Sequence, residues 1–192
     1  MRAALIGVSG LVGRKLIELL ETSPLNHCLE LIAISQTQKT LPFSFNNTPI
    51  VTTSIEDFIL GIQKGGFDPI DIVWIATPST AAVRCAKVLI DAQAAHLIID
   101  GSSAHRLKPK IPLVIPEISD KATWENAKFI SSPNCVATLI ALALAPLHRV
   151  FSIARIQGAT YQSASGGGRL LYEALLKETK NFFSTKAQTS SK

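Results

Sequence analysis

An α/β fold with a mostly parallel sheet is predicted by three features of the sequence. Short apolar runs of strand length alternate with amphipathic stretches of helix length. Several of these runs are continuously apolar, as strands covered on both faces are. Glycines punctuate the junction between the first run and the first amphipathic stretch.

The elements follow in order. "AALIGV" (3–8) reads as a buried strand. "SGLVGRKLIELLE" (9–21) reads as a helix, with Val12, Leu16, Leu19 and Leu20 on one apolar face that Leu11 and Ile17 widen. "LELIAIS" (29–35) is a second strand. Residues 36–49, mostly polar and carrying Pro42 and Pro49, read as loop. "PIDIVWIATP" (69–78) is a further buried strand. "STAAVRCAKVLIDAQAA" (79–95) is a helix with Ser79 as its N-cap. "HLIIDGSS" (96–103) and "AKFISSP" (127–133) are strands. An apolar helix then opens at Cys135, "IARIQGATYQ" (153–162) reads as a strand, and a glycine-rich turn leads to a helix over about Arg169–Phe183. The last stretch, polar and rich in small residues, reads as an unpacked tail.

The 192 residues suit one domain or one and a fraction. A net charge of +5 is spread without dense Lys/Arg runs, and aromatics make up only 6%. The charge therefore suits anionic small molecules, and nucleic acid is not expected as a partner. The longest apolar stretch, Val136–Leu147, is too short to span a bilayer, so no membrane is expected. The three cysteines are odd in number, widely spaced and without a CxxC. That argues against a disulfide framework and against a metal site. No targeting segment is read ahead of the first strand, and a cytoplasmic, reducing location is expected.

"GVSGLVG" places Gly7, Gly10 and Gly13 between the first strand and the first helix. Glycines let backbone approach a pyrophosphate, and the helix N-terminus offers free N–H groups and the positive end of the dipole. This is the Rossmann-type arrangement; the same residues would also make a tight turn with no ligand. At the end of the second strand stand Ser35, Gln36 and Thr37, with Lys39 nearby and no acid. The carboxylate that selects NAD through the ribose hydroxyl is missing, which favours NADP; an ordinary polar loop would read the same way.

"SPNC" puts Cys135 at the first turn of a helix, where N–H groups and the dipole favour an anionic sulfur. Two uses fit: a nucleophile, or a buried structural thiol. Cys28 and Cys85 fit the structural use. No base for Cys135 is evident among His27, His96, His105 and His148; each suits a surface or core-edge role. "DGSSAHRL" places Arg106 just beyond a strand end, where it is either an anion clamp or a surface arginine.

Four segments, "GVSGLVGRKLIELL", "IIDGSSAHRLKPKIPLVIPEI", "SPNCVATLIALALAPLHRVF" and "ATYQSASGGGR", resemble the aspartate-semialdehyde dehydrogenase family in order and spacing, over roughly residues 1–178. The resemblance implies an NADP-binding Rossmann-like domain over 1–132. It implies the beginning of an α+β catalytic and dimerisation domain, truncated, over 133–180, with the tail at 181–192. It implies an NADP-dependent oxidoreductase that converts aspartyl phosphate to aspartate semialdehyde through a cysteine thioester, in lysine, threonine and methionine biosynthesis. Cys135 would be the nucleophile, Asn134 its neighbour in the elbow, Gln162 the residue orienting substrate, and Arg106 the phosphate ligand. Gly7, Ser9, Gly10, Leu11, Val12 and Gly13 would hold the cofactor pyrophosphate, with Ser35 and Gln36 at its ribose and Ser165 and Gly166 beside the nicotinamide. Family members form homodimers or tetramers. Three positions depart from the family pattern: Gln36 where arginine is usual, Gly101 where asparagine is frequent, and His105 where an aromatic is frequent. The family's further half supplies a histidine acid/base and an arginine for the substrate carboxylate, so little or no activity is expected of these 192 residues alone. The alternatives are an N-acetylglutamyl-phosphate reductase-like enzyme and a non-catalytic nucleotide-binding remnant.

Overall fold

The computed structural model describes residues 1–189, with side chains through Ser184. The chain divides into two compact units, the first ending at Ile156 and the second beginning at Gln157.

The first unit is built on one seven-stranded sheet: β1 (Arg2–Ile6), β2 (Glu30–Ser35), β3 (Lys39–Phe45), β4 (Thr48–Ser54), β5 (Ile70–Ile75), β6 (Ala95–Asp100) and β7 (Phe129–Ser131). The order across the sheet is β3-β4-β2-β1-β5-β6-β7, parallel except for the β3–β4 hairpin. Its helices are α1 (Leu11–Thr22), α2 (Ile55–Gln63), α3 (Ser79–Asp91) and α4 (Cys135–Phe151). The two-residue period of β1 sends Ala4 and Ile6 to one face, against Phe58 and Ile62 of α2 and Cys85 and Leu89 of α3. Leu5 points to the other, against Ile17 and Leu20 of α1.

Residues 36–49 differ from the expected loop: they contain β3 and the start of β4. Two prolines and many polar residues disguise this hairpin. It is held by Asn46 and Asn47, both at positive φ in a two-residue turn, and by Leu41 and Phe45, which pack with α1's core cluster. Glu21 of α1 accepts the backbone N–H of Asn46, and the Arg14 guanidinium lies 4.9 Å over the ring of Phe43. The apolar face of α1 is also rotated from the expected one. Gly13, Ile17 and Leu20 are buried, whereas Val12 and Leu19 are exposed. The close approach of Gly13 to the turn before the helix sets that rotation.

Helix α3 ends at Asp91, short of the expected Ala95, because Gln93 takes a left-handed conformation and Ala94 N–H returns to the Leu89 carbonyl. Its N-cap is Pro78; Ser79 is the first helical residue, and its hydroxyl meets that of Ser103 at 2.9 Å. Residues 153–162 are not a strand: a strand needs a hydrogen-bonding neighbour, and none pairs there among the described residues. The second unit carries a 3₁₀ turn at Ala164–Gly167 and α5 (Arg169–Thr189), longer than the expected helix. The expected tail at 181–192 lies in part outside the described residues. Among those residues no helix is long and apolar enough to cross a membrane, and no group of His, Cys, Asp and Glu could hold a metal.

Candidate functional site

The carboxyl ends of the parallel strands carry the site, and the glycine turn marks its centre. The chain winds outward from β1 first to β2 and later to β5, so the crevice between the ends of β1 and β5 is the switch point of the sheet. Gly7, at φ +95°, stands there; a Cβ on it would collide with the carbonyl oxygen of Ala76. A Cβ on Gly13 would collide with the Gly7 carbonyl oxygen and lie 2.7 Å from Val8 Cα. These two positions therefore need glycine, for a turn this tight and a helix this close to it. Gly10 caps α1 without a side-chain acceptor, and no acidic residue lies in the first turn. The positive end of the helix is left open to an anion.

A cavity of about 180 Å³ opens at this point, lined by Gly7, Ser9, Gly10, Gln36, Ile55, Ala76, Thr77, Pro78 and Ala81. The hydroxyl oxygen of Thr77 is buried there with no hydrogen-bond partner. Glycine-cradled backbone, an uncapped helix start and an unsatisfied hydroxyl suit a phosphate- and sugar-bearing nucleotide. Thr77 and Ala81 are absent from the sequence-based site; the "ATPST" strand end at 76–80 is the signal that points to them. Of the two residues assigned to the ribose, only Gln36 lines the cavity. The Ser35 side chain is fully buried and is removed from the site: its hydroxyl lies 2.5 Å from the Thr37 carbonyl and 2.9 Å from the Thr52 hydroxyl.

Three strand spacings away, about 14 Å across the sheet, the end of β7 carries the cysteine elbow. Asn134 is the N-cap of α4: its side-chain oxygen accepts the N–H groups of Val136 and Ala137 at 3.0 and 3.4 Å. Cys135 is thereby the first residue of the helix, and it is exposed. Arg106 ties the elbow to the end of β6, donating from Nε to the Ser132 carbonyl and from Nη2 to the Gly101 carbonyl, both at 2.9 Å. Two of its five N–H groups are so used, and the others remain for an anion. The Ser132 N–H reaches the Asp100 carbonyl at 2.8 Å. Below the loop, Asp100 is fully buried and bonded to His105, whose ring lies 4.9 Å from that of Phe129. His105 thus has the core-edge role expected of it.

Cys85 is buried, and burial pushes its thiol up to about 11. Cys28 is exposed rather than buried; it closes a 3₁₀ turn and its thiol lies 3.2 Å from the Leu25 carbonyl. His27 and His96 stand at the amino ends of β2 and β6, on the opposite edge of the sheet from the site. His148 lies thirteen residues beyond Cys135 on α4, about 20 Å along the axis. In the second unit, the Gln162 side chain packs against Gly166, and the hydroxyls of Ser163 and Ser165 meet at 2.6 Å.

Comparison with known proteins agrees with this geometry. A family model described as "Semialdehyde dehydrogenase, NAD binding domain" matches residues 2–126. An aspartate-semialdehyde dehydrogenase from Synechocystis sp. is 33% identical over 188 residues, covering 97% of this chain and 52% of the relative. One from Prochlorococcus marinus is 33% identical over 167 residues, covering 86% and 46%. The crystal structure of aspartate semialdehyde dehydrogenase II complexed with ASA, from Vibrio cholerae, superposes with a TM-score of 0.81 at 25% identity, covering 96% of this chain and 53% of that one. The chain therefore spans about half the length of the relatives it matches. With the glycine turn, the switch-point crevice and the family match in agreement over most of the first unit, the chain belongs to the semialdehyde dehydrogenase family and carries its NAD-binding domain.

Proposed function

We propose that this chain is the cofactor-binding and nucleophile-bearing half of an NADP-dependent aspartate-semialdehyde dehydrogenase. The observation that carries the reading is the placement of Cys135, at the first turn of α4, on the same sheet edge as the glycine turn and beside an arginine that holds its elbow. The sulfur of Cys135 attacks the acyl carbon of aspartyl phosphate; the C–O bond to phosphate breaks and phosphate leaves past the remaining N–H groups of Arg106. When bound, a reduced nicotinamide nucleotide would supply the hydride to the carbonyl carbon of the Cys135 thioester. Collapse of the resulting tetrahedral carbon then breaks the C–S bond, which releases the aldehyde and returns the thiolate. Asn134 fixes the elbow through its cap, and Gln162, by family resemblance, orients the substrate amino acid. Ser9, Gly10 and the N–H groups of Leu11, Val12 and Gly13 would hold the pyrophosphate and Gln36 would stand at the ribose; by family resemblance, Ser165 and Gly166 would border the nicotinamide. The absence of an acid at the end of β2 supports NADP. The reaction so read belongs to lysine, threonine and methionine biosynthesis in the cytoplasm, carried out by a homodimer or tetramer.

Two measurements test the reading. Fluorescence titration is expected to show NADPH binding tighter than NADH. Aspartyl phosphate is expected to acylate Cys135, read as an intact-mass adduct that hydroxylamine removes, with no multiple turnover. Equal failure to bind either nucleotide, or an adduct formed only with N-acetylglutamyl phosphate, overturns the assignment.

A further inference from the structure

Asp100 is a carboxylate with no access to solvent, and among the described residues the donors to its side chain come from the loop that follows it. Its Oδ2 accepts from Nδ1 of His105 at 2.6 Å and from the Ser102 hydroxyl at 2.9 Å; its Oδ1 accepts the Ser102 N–H at 2.9 Å. A carboxylate only accepts, so the imidazole presents its Nδ1–H to it. The Ser102 hydroxyl accepts in turn from the Ala104 N–H at 3.2 Å. The loop is therefore wound around one buried anion. The loop reaches the elbow through the Asp100 carbonyl, which accepts the Ser132 N–H, and through Arg106, which donates to the Ser132 carbonyl as well as back to the loop's own Gly101 carbonyl; it reaches α3 through the Ser103 hydroxyl, against that of Ser79.

Of the donors on Asp100, only His105 is distant enough in the loop to set its closure. Ser102 reaches the carboxylate across a two-residue turn, whereas His105 draws residue 105 back onto residue 100, and Arg106 follows directly. We propose that His105 is a positioning residue: its Nδ1–H, through buried Asp100, holds the loop in the form that keeps Arg106 on the cysteine elbow. A buried carboxylate that lost this donor would keep only the short-range Ser102 bonds and would pull the loop toward another partner or toward water. The proposal gives a role to a histidine that stands where the family pattern frequently has an aromatic. It depends on the reading of Cys135 as nucleophile only for its functional meaning, and its test needs neither cofactor nor turnover.

The test is the ratio of alkylation rates at Cys135 by iodoacetate, an anion, and iodoacetamide, its neutral analogue, read by peptide mass spectrometry with Cys28 as internal reference. Taking the ratio divides out the intrinsic reactivity of the sulfur. Arg106 beside the elbow is expected to raise it about threefold over Arg106→Gln, the order of effect of one nearby unit charge screened by water. His105→Phe keeps a ring against Phe129 but has no donor, and its ratio is expected to fall to that of Arg106→Gln. His105→Asn loses the ring but places an amide N–H near the Nδ1 position, and is expected to keep the wild-type ratio. The Cys28 ratio stays constant throughout. The opposite order, with Phe retaining the ratio and Asn losing it, means packing rather than the hydrogen bond matters and overturns the proposal. So does a wild-type ratio equal to that of Arg106→Gln, which would mean that Arg106 is not held at the elbow. An inactive or non-binding protein would leave these ratios fully readable, so failure of the dehydrogenase reading is a separate result.

Discussion

The carbonyl oxygen of Gly7 occupies the place where the β-carbon of any larger residue at position 13 would sit. Strand, turn and first helix are thus locked together by two glycines six residues apart. Gly13→Ala forces backbone rather than a flexible side chain to move, and is expected to cost about 1–3 kcal/mol in chemical denaturation. It is also expected to abolish NADPH binding by displacing the first turn of α1. A variant that binds normally would disconnect the turn from the ligand.

Asn134→Ala removes the acceptor for the Val136 and Ala137 N–H groups. The expected loss is about 0.5–2 kcal/mol, and Asn134→Ser or Asn134→Asp should retain most of it. Unfolding midpoints followed by far-ultraviolet circular dichroism decide this. If alanine and serine behave alike, the cap is not stabilising α4.

The three thiols should separate by reactivity. Cys28 and Cys135 are exposed and should react with a disulfide reagent in the native protein, while Cys85 should react only after denaturation. The raised value of Cys85 has a stability consequence whose sign is fixed. Between its ordinary value of 9.0 and about 11, the unfolded thiol has lost its proton while the folded one keeps it. The folded state therefore binds more protons, and stability falls as pH rises through that window. Cys85→Ala should flatten this part of the profile; an unchanged slope would refute the assignment.

Glu56 at the start of α2 accepts two bonds from Arg84 of α3, and these hold its carboxyl below the usual range. A lowered carboxylate contributes stability that is present above pH 4.5 and lost as pH falls through its folded value. Glu56→Gln should therefore lower the thermal midpoint slightly at neutral pH and make no difference in strong acid. High salt should shrink the effect, since both side chains are solvated.

Much of the fold was legible because the strands around β1 are continuously apolar and the glycine spacing is local. Cys135 as a helix start was legible too, since "SPNC" ahead of an apolar run is a local signal. What escaped depends on tertiary context. The hairpin hid behind Pro42 and Pro49, although the alternation of Leu41, Phe43 and Phe45 before two asparagines could have disclosed it. The rotation of α1 follows from a backbone contact at Gly13, which no hydrophobic pattern encodes. Ser35 looked like a ligand contact from its place at a strand end, but the buried Thr52 claims its hydroxyl. Asp100 and His105 are five residues apart, and only the loop's closure makes them partners.

The two borders of the sheet carry a consequence for assembly. One border is β3, where Pro42 interrupts the row of backbone donors. The other is β7, three residues long, whose outer side is taken by the 112–114 segment through Ser131 N–H to the Pro112 carbonyl and Val114 N–H to the Ser131 carbonyl. Neither border offers an incoming chain an uninterrupted ladder to copy. Growth by strand addition, the route to fibrils, is disfavoured at both borders. Side-chain surfaces remain for contact with another molecule, and the exposed Leu139, Leu147, Val150 and Phe151 of α4 are among the apolar ones.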